Sequence, residues 1–153
     1  MIRVNIIAAA SAAVLALSPV AYAQQAKYGT AAEAKAMLEK VVVAVKADKA
    51  NALAMFNKGE GGFKDRDLQP FCYNKGDGKM VASTVPSLLG TDVRTLKDKT
   101  GKVFGEDVYK AGVDGKISEV RYMFPRPGET EPTQKISFVT GVGDLGCGVG
   151  YYL

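Results

Sequence analysis

Histidine and tryptophan are absent from this chain of 153 residues, and cysteine occurs only twice. The missing histidine removes Ser-His-Asp and Cys-His nucleophiles, His-ligated zinc and any imidazole proton shuttle together. Excess charge is also scarce: 20 Lys+Arg stand against 16 Asp+Glu, a formal net charge of +4. The densest basic run, Lys97-Asp98-Lys99, is broken by an acid, so no stripe tracks a phosphate backbone and no nucleic-acid partner is expected. Only one long apolar run exists, residues 4–17, and it is shorter than the ~20 residues a membrane-spanning helix needs.

That run nevertheless fits an export signal. Arg3 precedes it, a helix-breaking Ser18-Pro19 follows, and Ala21-Tyr22-Ala23 is a small-x-small cleavage site. Residues 1–23 are therefore expected to be a signal peptide cleaved after Ala23, leaving residues 24–153 as one periplasmic or secreted domain. No cysteine sits at the cleavage point, which argues against a lipid anchor. In an oxidising compartment an even cysteine count favours a disulfide between Cys72 and Cys147 over a metal site, since two thiolates without histidine close no coordination shell.

The expected architecture is α+β. Thr30-Ala-Ala-Glu33 fits a capping box, and Ala34, Met37, Leu38, Val41, Val42, Val45, Ala52, Leu53 and Phe56 follow close to i, i+3, i+4 spacing. This predicts one long amphipathic helix to about Asn57, stopped by Gly59. At 1.5 Å per residue it is about 40 Å long, so its first half is expected to project or to pack on a second copy. Strands are expected over residues 68–73, 79–82, 116–124, 134–142 and 146–152, with a loop at 86–90, a helical turn at 92–97 and a short helix at 104–111. The result is a five-stranded antiparallel sheet with helices on one face and short helices between its second and third strands.

Local motifs carry little chemistry. Gly141-Val-Gly143-Asp-Leu-Gly146 matches a dinucleotide fingerprint by letter, but too few residues follow for the required helix and strand, so a tight turn is expected and no cofactor. Asn74-x-x-Asp77-Gly78 lacks the carboxylates of a calcium loop and reads as a β-turn. Asp65, Asp67, Glu129 and Glu131 lie among glycines and prolines, where solvated charge is the expected role. Ser83 and Ser137 have no histidine to activate them, and no catalytic residue is assigned. Aromatic and polar residues do concentrate late in the chain, at Tyr122, Phe124, Lys135, Ser137 and Phe138. With Tyr73 and Tyr109 they fit either the lining of a small-molecule cavity or an ordinary core with surface tyrosines.

The ordered set Phe71-Cys-Tyr, Gly76-Asp-Gly-Lys-Met-Val-Ala-Ser, Pro86-Ser-Leu-Leu-Gly-Thr-Asp, Leu96-Lys-Asp-Lys-Thr-Gly-Lys-Val-Phe-Gly, Arg121-Tyr-Met-Phe-Pro-Arg-Pro, Lys135-Ile-Ser-Phe-Val and Gly146-Cys-Gly-Val-Gly-Tyr resembles a single Cache domain of the second type. The resemblance runs from the long helix to Tyr152. It implies a PAS-like sheet in the order 2-1-5-4-3, which makes the cysteine-bearing strands neighbours. It also implies an extracytoplasmic, non-catalytic sensor for a small organic metabolite such as a carboxylate, similar to the stand-alone secreted members. Carried over by position, the ligand-binding residues are Tyr73, Ser83, Tyr122, Phe124, Lys135 and Ser137, beside Tyr109 from the aromatic set. Three positions depart from the family pattern: Ser83 stands where His is usual, Met123 where Arg is frequent and Phe124 where Trp is frequent. A membrane receptor or sensor kinase is the implied partner, with homodimerisation through the N-terminal helix as a further expectation. The competing reading is an interaction protein that uses the fold and its helix without a ligand.

Overall fold

The computed structural model describes residues 27–153. The expected signal peptide, residues 1–23, lies outside them. The capping box forms as patterned: the Thr30 hydroxyl accepts from Glu33 N at 3.3 Å, and the Glu33 carboxylate accepts from Thr30 N at 2.8 Å.

The expected single helix is two. Helix α1 (Ala31–Ala47) ends and helix α2 (Lys49–Lys58) begins at Asp48, whose backbone is extended at φ −155° and ψ 94°. The Asp48 N–H donates to Ala44 O and closes α1, while its carboxylate accepts from Asn51 N at 3.1 Å and opens α2. A short acidic side chain competes with the helical backbone for its own N–H groups, and here it wins. The break keeps both segments on the sheet. Helix α1 buries Ala34, Met37, Leu38, Val41 and Val45, and α2 buries Ala52 and Phe56. The first half of the helical region therefore packs rather than projects. Gly59, at φ 68°, ends α2 in the left-handed conformation that glycine adopts without steric cost.

The sheet comprises β1 (Pro70–Asn74), β2 (Met80–Ala82), β3 (Ser118–Pro125), β4 (Pro132–Val142) and β5 (Leu145–Tyr152), in the order β2-β1-β5-β4-β3 and antiparallel throughout. Cys72 on β1 sits directly opposite Cys147 on β5, and the two are joined as a disulfide. The Gly141–Gly146 stretch is the β4–β5 hairpin turn, with Gly143 at φ 61°, and not a nucleotide loop. Asn74 Oδ1 accepts from Gly76 N at 2.7 Å, which makes the next turn a β-turn as its letters require.

Side-chain alternation divides the sheet into two faces. On one, α1 and α2 pack against Cys72, Ala82, Phe138, Val142, Leu145, Cys147 and Val149. The other is not left to solvent. It is covered by the β2–β3 connection, which holds 3-10 turns at Pro86–Leu88 and Val93–Thr95 and helix α3 (Gly105–Lys110). Val93, Phe104, Val108 and Ala111 from that connection form a second core with Tyr73, Met80, Val120, Tyr122 and Val139. Helical structure therefore lies on both faces, and residues 86–90, expected as plain loop, contain a helical turn. Two separate apolar layers hold this domain together.

Candidate functional site

The second core is incompletely filled. Between the sheet and the β2–β3 connection lies a cavity with about 60 Å³ of room for the centres of water-sized atoms. Its position follows from β5, whose Gly146, Gly148 and Gly150 alternate onto this face. A β-carbon on Gly146 would fall 2.1 Å from the Tyr73 ring, one on Gly148 2.4 Å from the Phe71 ring, and one on Gly150 2.3 Å from Lys135 Cε. The central strand thus gives up its own side chains so that those of β1 and β4 can lie across it.

One wall is aromatic. The Phe104 and Tyr122 rings stack with centroids 4.0 Å apart and planes within 2°, and Phe124 meets both edge-on at 6.4 and 6.2 Å. Offset and edge-to-face contacts of this kind stabilise a wall beyond its buried area. Ser83, Thr84 and Gln69 bring polar atoms to the rim. The Ser83 hydroxyl accepts from Val85 N at 3.0 Å, and Ser83 N donates to Asn57 Oδ1 at 2.9 Å, which ties the rim to α2. Thr84 Oγ1 donates to Gln69 Oε1.

Lys135 supplies the charge. Its Nζ lies 5.1 Å from the Phe124 centroid and 4.8 Å from the Tyr152 centroid. Among the described residues no carboxylate lies within ion-pair distance of it, and the two ring faces are its cation–π partners. Burial pushes its pKa down to about 8, and the charge of Asp67 acts in the opposite direction. Asp67 is buried and not a solvated loop charge as expected from its neighbours: one carboxylate oxygen accepts from Gly29 N at 2.6 Å, and the other faces Arg126 Nε at 3.8 Å. Asp65, its expected companion, pairs with Arg66 instead.

Of the residues singled out from the sequence, Ser83, Tyr122, Phe124 and Lys135 line this cavity. Ser137 lies behind the wall, with its Oγ hydrogen-bonded to the Tyr122 hydroxyl at 2.8 Å. Burial raises the Tyr122 pKa to about 12, against that hydrogen bond. Tyr73 and Tyr109 do not reach the cavity lining. The Tyr73 hydroxyl is shared between Val108 O at 2.8 Å and Tyr109 O at 3.0 Å, and the Tyr109 hydroxyl donates to Lys75 O at 2.6 Å, so both anchor α3 to β1. Sequence reasoning missed Phe71, Met80, Val93, Phe104 and Val108 as lining residues. The Gly146-x-Gly148-x-Gly150 alternation was the available signal for Phe71, because glycine at every second strand position marks a face onto which neighbouring side chains fold.

No helix among the described residues is long and apolar enough to cross a membrane. No curated protein is detectably similar to the chain. Solved structures are. A methyl-accepting chemotaxis protein from Vibrio parahaemolyticus RIMD 2210633 superposes with a TM-score of 0.62 at 20% identity, covering 79% of this chain and 86% of the other. A periplasmic sensor domain of a chemotaxis protein gives 0.59 at 24% identity, over 80% and 89%. A Cache chemosensory domain, solved for the structural basis of carboxylic acid recognition, gives 0.56 at 24% identity, over 80% and 87%. At these identities the likeness is one of fold. The family model for single Cache domain 2 matches residues 10–152, nearly the whole sequence, and with the sheet order and the cavity behind β5 this shows that the chain belongs to the single Cache domain 2 family.

Proposed function

We propose that this protein is an extracytoplasmic, non-catalytic sensor module that binds a small organic acid in the cavity under the β2–β3 connection. The observation that carries the reading is Lys135: an ammonium without a carboxylate in ion-pair reach, in a cavity that is aromatic and aliphatic apart from the polar rim of Gln69, Ser83 and Thr84. Such a group gains most from an anion that arrives from solvent, since the cost of desolvating it has already been met by the fold. The carboxylate accepts from Lys135 Nζ, the Ser83 hydroxyl donates from the rim, and a short apolar tail lies against Phe104 and Phe124. The cavity volume limits that tail to a few carbons. That one structural neighbour recognises carboxylic acids supports the ligand class. The signal passes on by contact with a membrane receptor or sensor kinase.

The test is a thermal-shift and calorimetric titration of the purified, oxidised protein with acetate, propionate and butyrate, beside uncharged amides of the same length. The acids are expected to stabilise, by ~2.7 kcal/mol at 100 times their dissociation constant, and the amides are not. Lys135→Ala is expected to weaken acid binding about tenfold or more, the loss of a charge-assisted hydrogen bond. Equal responses to acids and amides, or none to either, would overturn the reading.

A further inference from the structure

The amine of Lys135 has a second chemical capacity that carboxylate binding does not use. It sits in a cavity walled by Phe104, Tyr122 and Phe124, and its stem is held across Gly150 by the close approach of Cε. The groups that face it are few. Tyr152 on β5 and Phe124 on β3 offer ring faces, Tyr122 keeps its hydroxyl on Ser137, and Arg126 Cζ lies 5.2 Å from the same Tyr152 ring. Among the described residues Asp67, in the segment before β1, is the one acid that acts on it, and Asp67 is already engaged by Gly29 N. A lysine desolvated by apolar walls, with no carboxylate bonded to it, is the arrangement that makes an amine nucleophilic near neutral pH.

We propose that Lys135 reacts reversibly with short aldehydes and ketones that enter the cavity, forming an imine. The amine nitrogen bonds to the carbonyl carbon, and the carbonyl oxygen leaves as water with the two hydrogens the amine gives up. No oxidant or reductant takes part. The neutral carbonyl compound suits the site because, among the described residues, no second cation lines the cavity to hold a charged group on the same small molecule. The lowered Lys135 pKa leaves a substantial fraction of free amine at pH 7.5, where a lysine at the ordinary value of about 10.4 has almost none. This inference shares the cavity with the carboxylate reading but not its ligand.

The experiment treats the purified protein with low acetaldehyde and cyanoborohydride at pH 7.5, which fixes the imine as a secondary amine, and reads each lysine and the N-terminal amine separately by peptide mass spectrometry. Lys135 is expected to be trapped at least tenfold faster than Lys35 and Lys40, with the advantage shrinking as the pH approaches 10. Urea should abolish that advantage in the wild-type protein, and Lys135→Arg should remove the adduct from its peptide alone. Trapping of Lys135 no faster than Lys40, or equally fast in urea, would overturn the proposal even if acetate binds by calorimetry. Conversely, rapid trapping that saturating acetate does not slow supports the imine while counting against the carboxylate reading.

Discussion

The stem of Lys135 crosses the backbone of Gly150: a β-carbon at that glycine would lie 2.3 Å from Lys135 Cε and 2.6 Å from Ser137 Oγ. Ser137, not Lys135, is the direct partner of Gly150 in the β4–β5 register, so the lysine reaches its place diagonally across the strand. The charged group of the cavity is therefore positioned by the absence of a side chain on the neighbouring strand. Gly150→Ala is expected to deflect the lysine, a flexible chain that can move aside, and to weaken carboxylate binding about tenfold while the protein stays folded. Gly148→Ala is the contrast. Its β-carbon meets the Phe71 ring at 2.4 Å and the Phe138 carbonyl at 2.9 Å, which cannot both move, so it should cost stability of about 1–3 kcal/mol. Calorimetry and urea melts on the two variants separate these outcomes.

Reduction of the Cys72–Cys147 disulfide opens a loop of 75 residues that spans β1 through β5. The loss should be about 4 kcal/mol by chain entropy, lowering Tm by roughly 10 °C or more. Scanning calorimetry with and without reductant measures it, and an unchanged Tm would show that the β1–β5 pairing needs no cross-link.

Asp48 both closes α1 and opens α2. Asp48→Ala is expected to cost about 1 kcal/mol through the lost bond to Asn51 N. Asp48→Asn, which keeps an acceptor oxygen, should recover most of that cost. Urea melts of the two variants provide the comparison.

The start of α1 is sensitive to acid. The Arg66 guanidinium, and then the Thr30 backbone and hydroxyl, hold the Glu33 carboxyl down at about 2, and Arg66 likewise lowers Asp65. A depressed folded-state pKa contributes stability that is present above the ordinary value of 4.5 and is lost as the pH falls toward 2. Tm should decline through that window, and Arg66→Met should flatten the decline. A wild-type Tm independent of pH between 4.5 and 2 would contradict the assignment.

Lys135 gives an opposite signature in alkali. Its folded pKa near 8 lies below the ordinary 10.5, so between those values the unfolded chain binds more protons and stability rises with pH. Carboxylate affinity should fall over the same range as the ammonium is lost. Above pH 10 the trend reverses, because burial raises the pKa values of Tyr73, Tyr122 and Tyr152 and their ionisation opposes folding. Tm and acetate titrations from pH 7 to 11 check both trends, and Lys135→Met should abolish the first rise.

Much of the fold was legible because it depends on local chemistry. The Thr30–Glu33 capping box, the stop at Gly59 and the Gly143-Asp144 hairpin turn each concern a few adjacent residues, and each formed as its letters require. The five strands were placed to within two residues at their ends, and the resemblance to the family supplied their order. The break at Asp48 was less legible. Periodicity continues across it in the sequence, and only packing against the sheet rewards the bend. The cavity was half legible for a similar reason. Alternation along β3 and β4 put Tyr122, Phe124 and Lys135 on one face, yet it gave Ser137 the same standing, although Ser137 bonds to Tyr122 behind the wall. The sequence by itself determined where the strands run and where the helical region starts and stops, because these follow from backbone sterics and spacing. Tertiary structure alone decided that Phe104 stacks on Tyr122, that Tyr73 bonds to α3, and that Asp67 is buried beside Arg126. Those contacts join residues far apart in the chain, and their geometry exists only once the β2–β3 connection has folded back across the sheet.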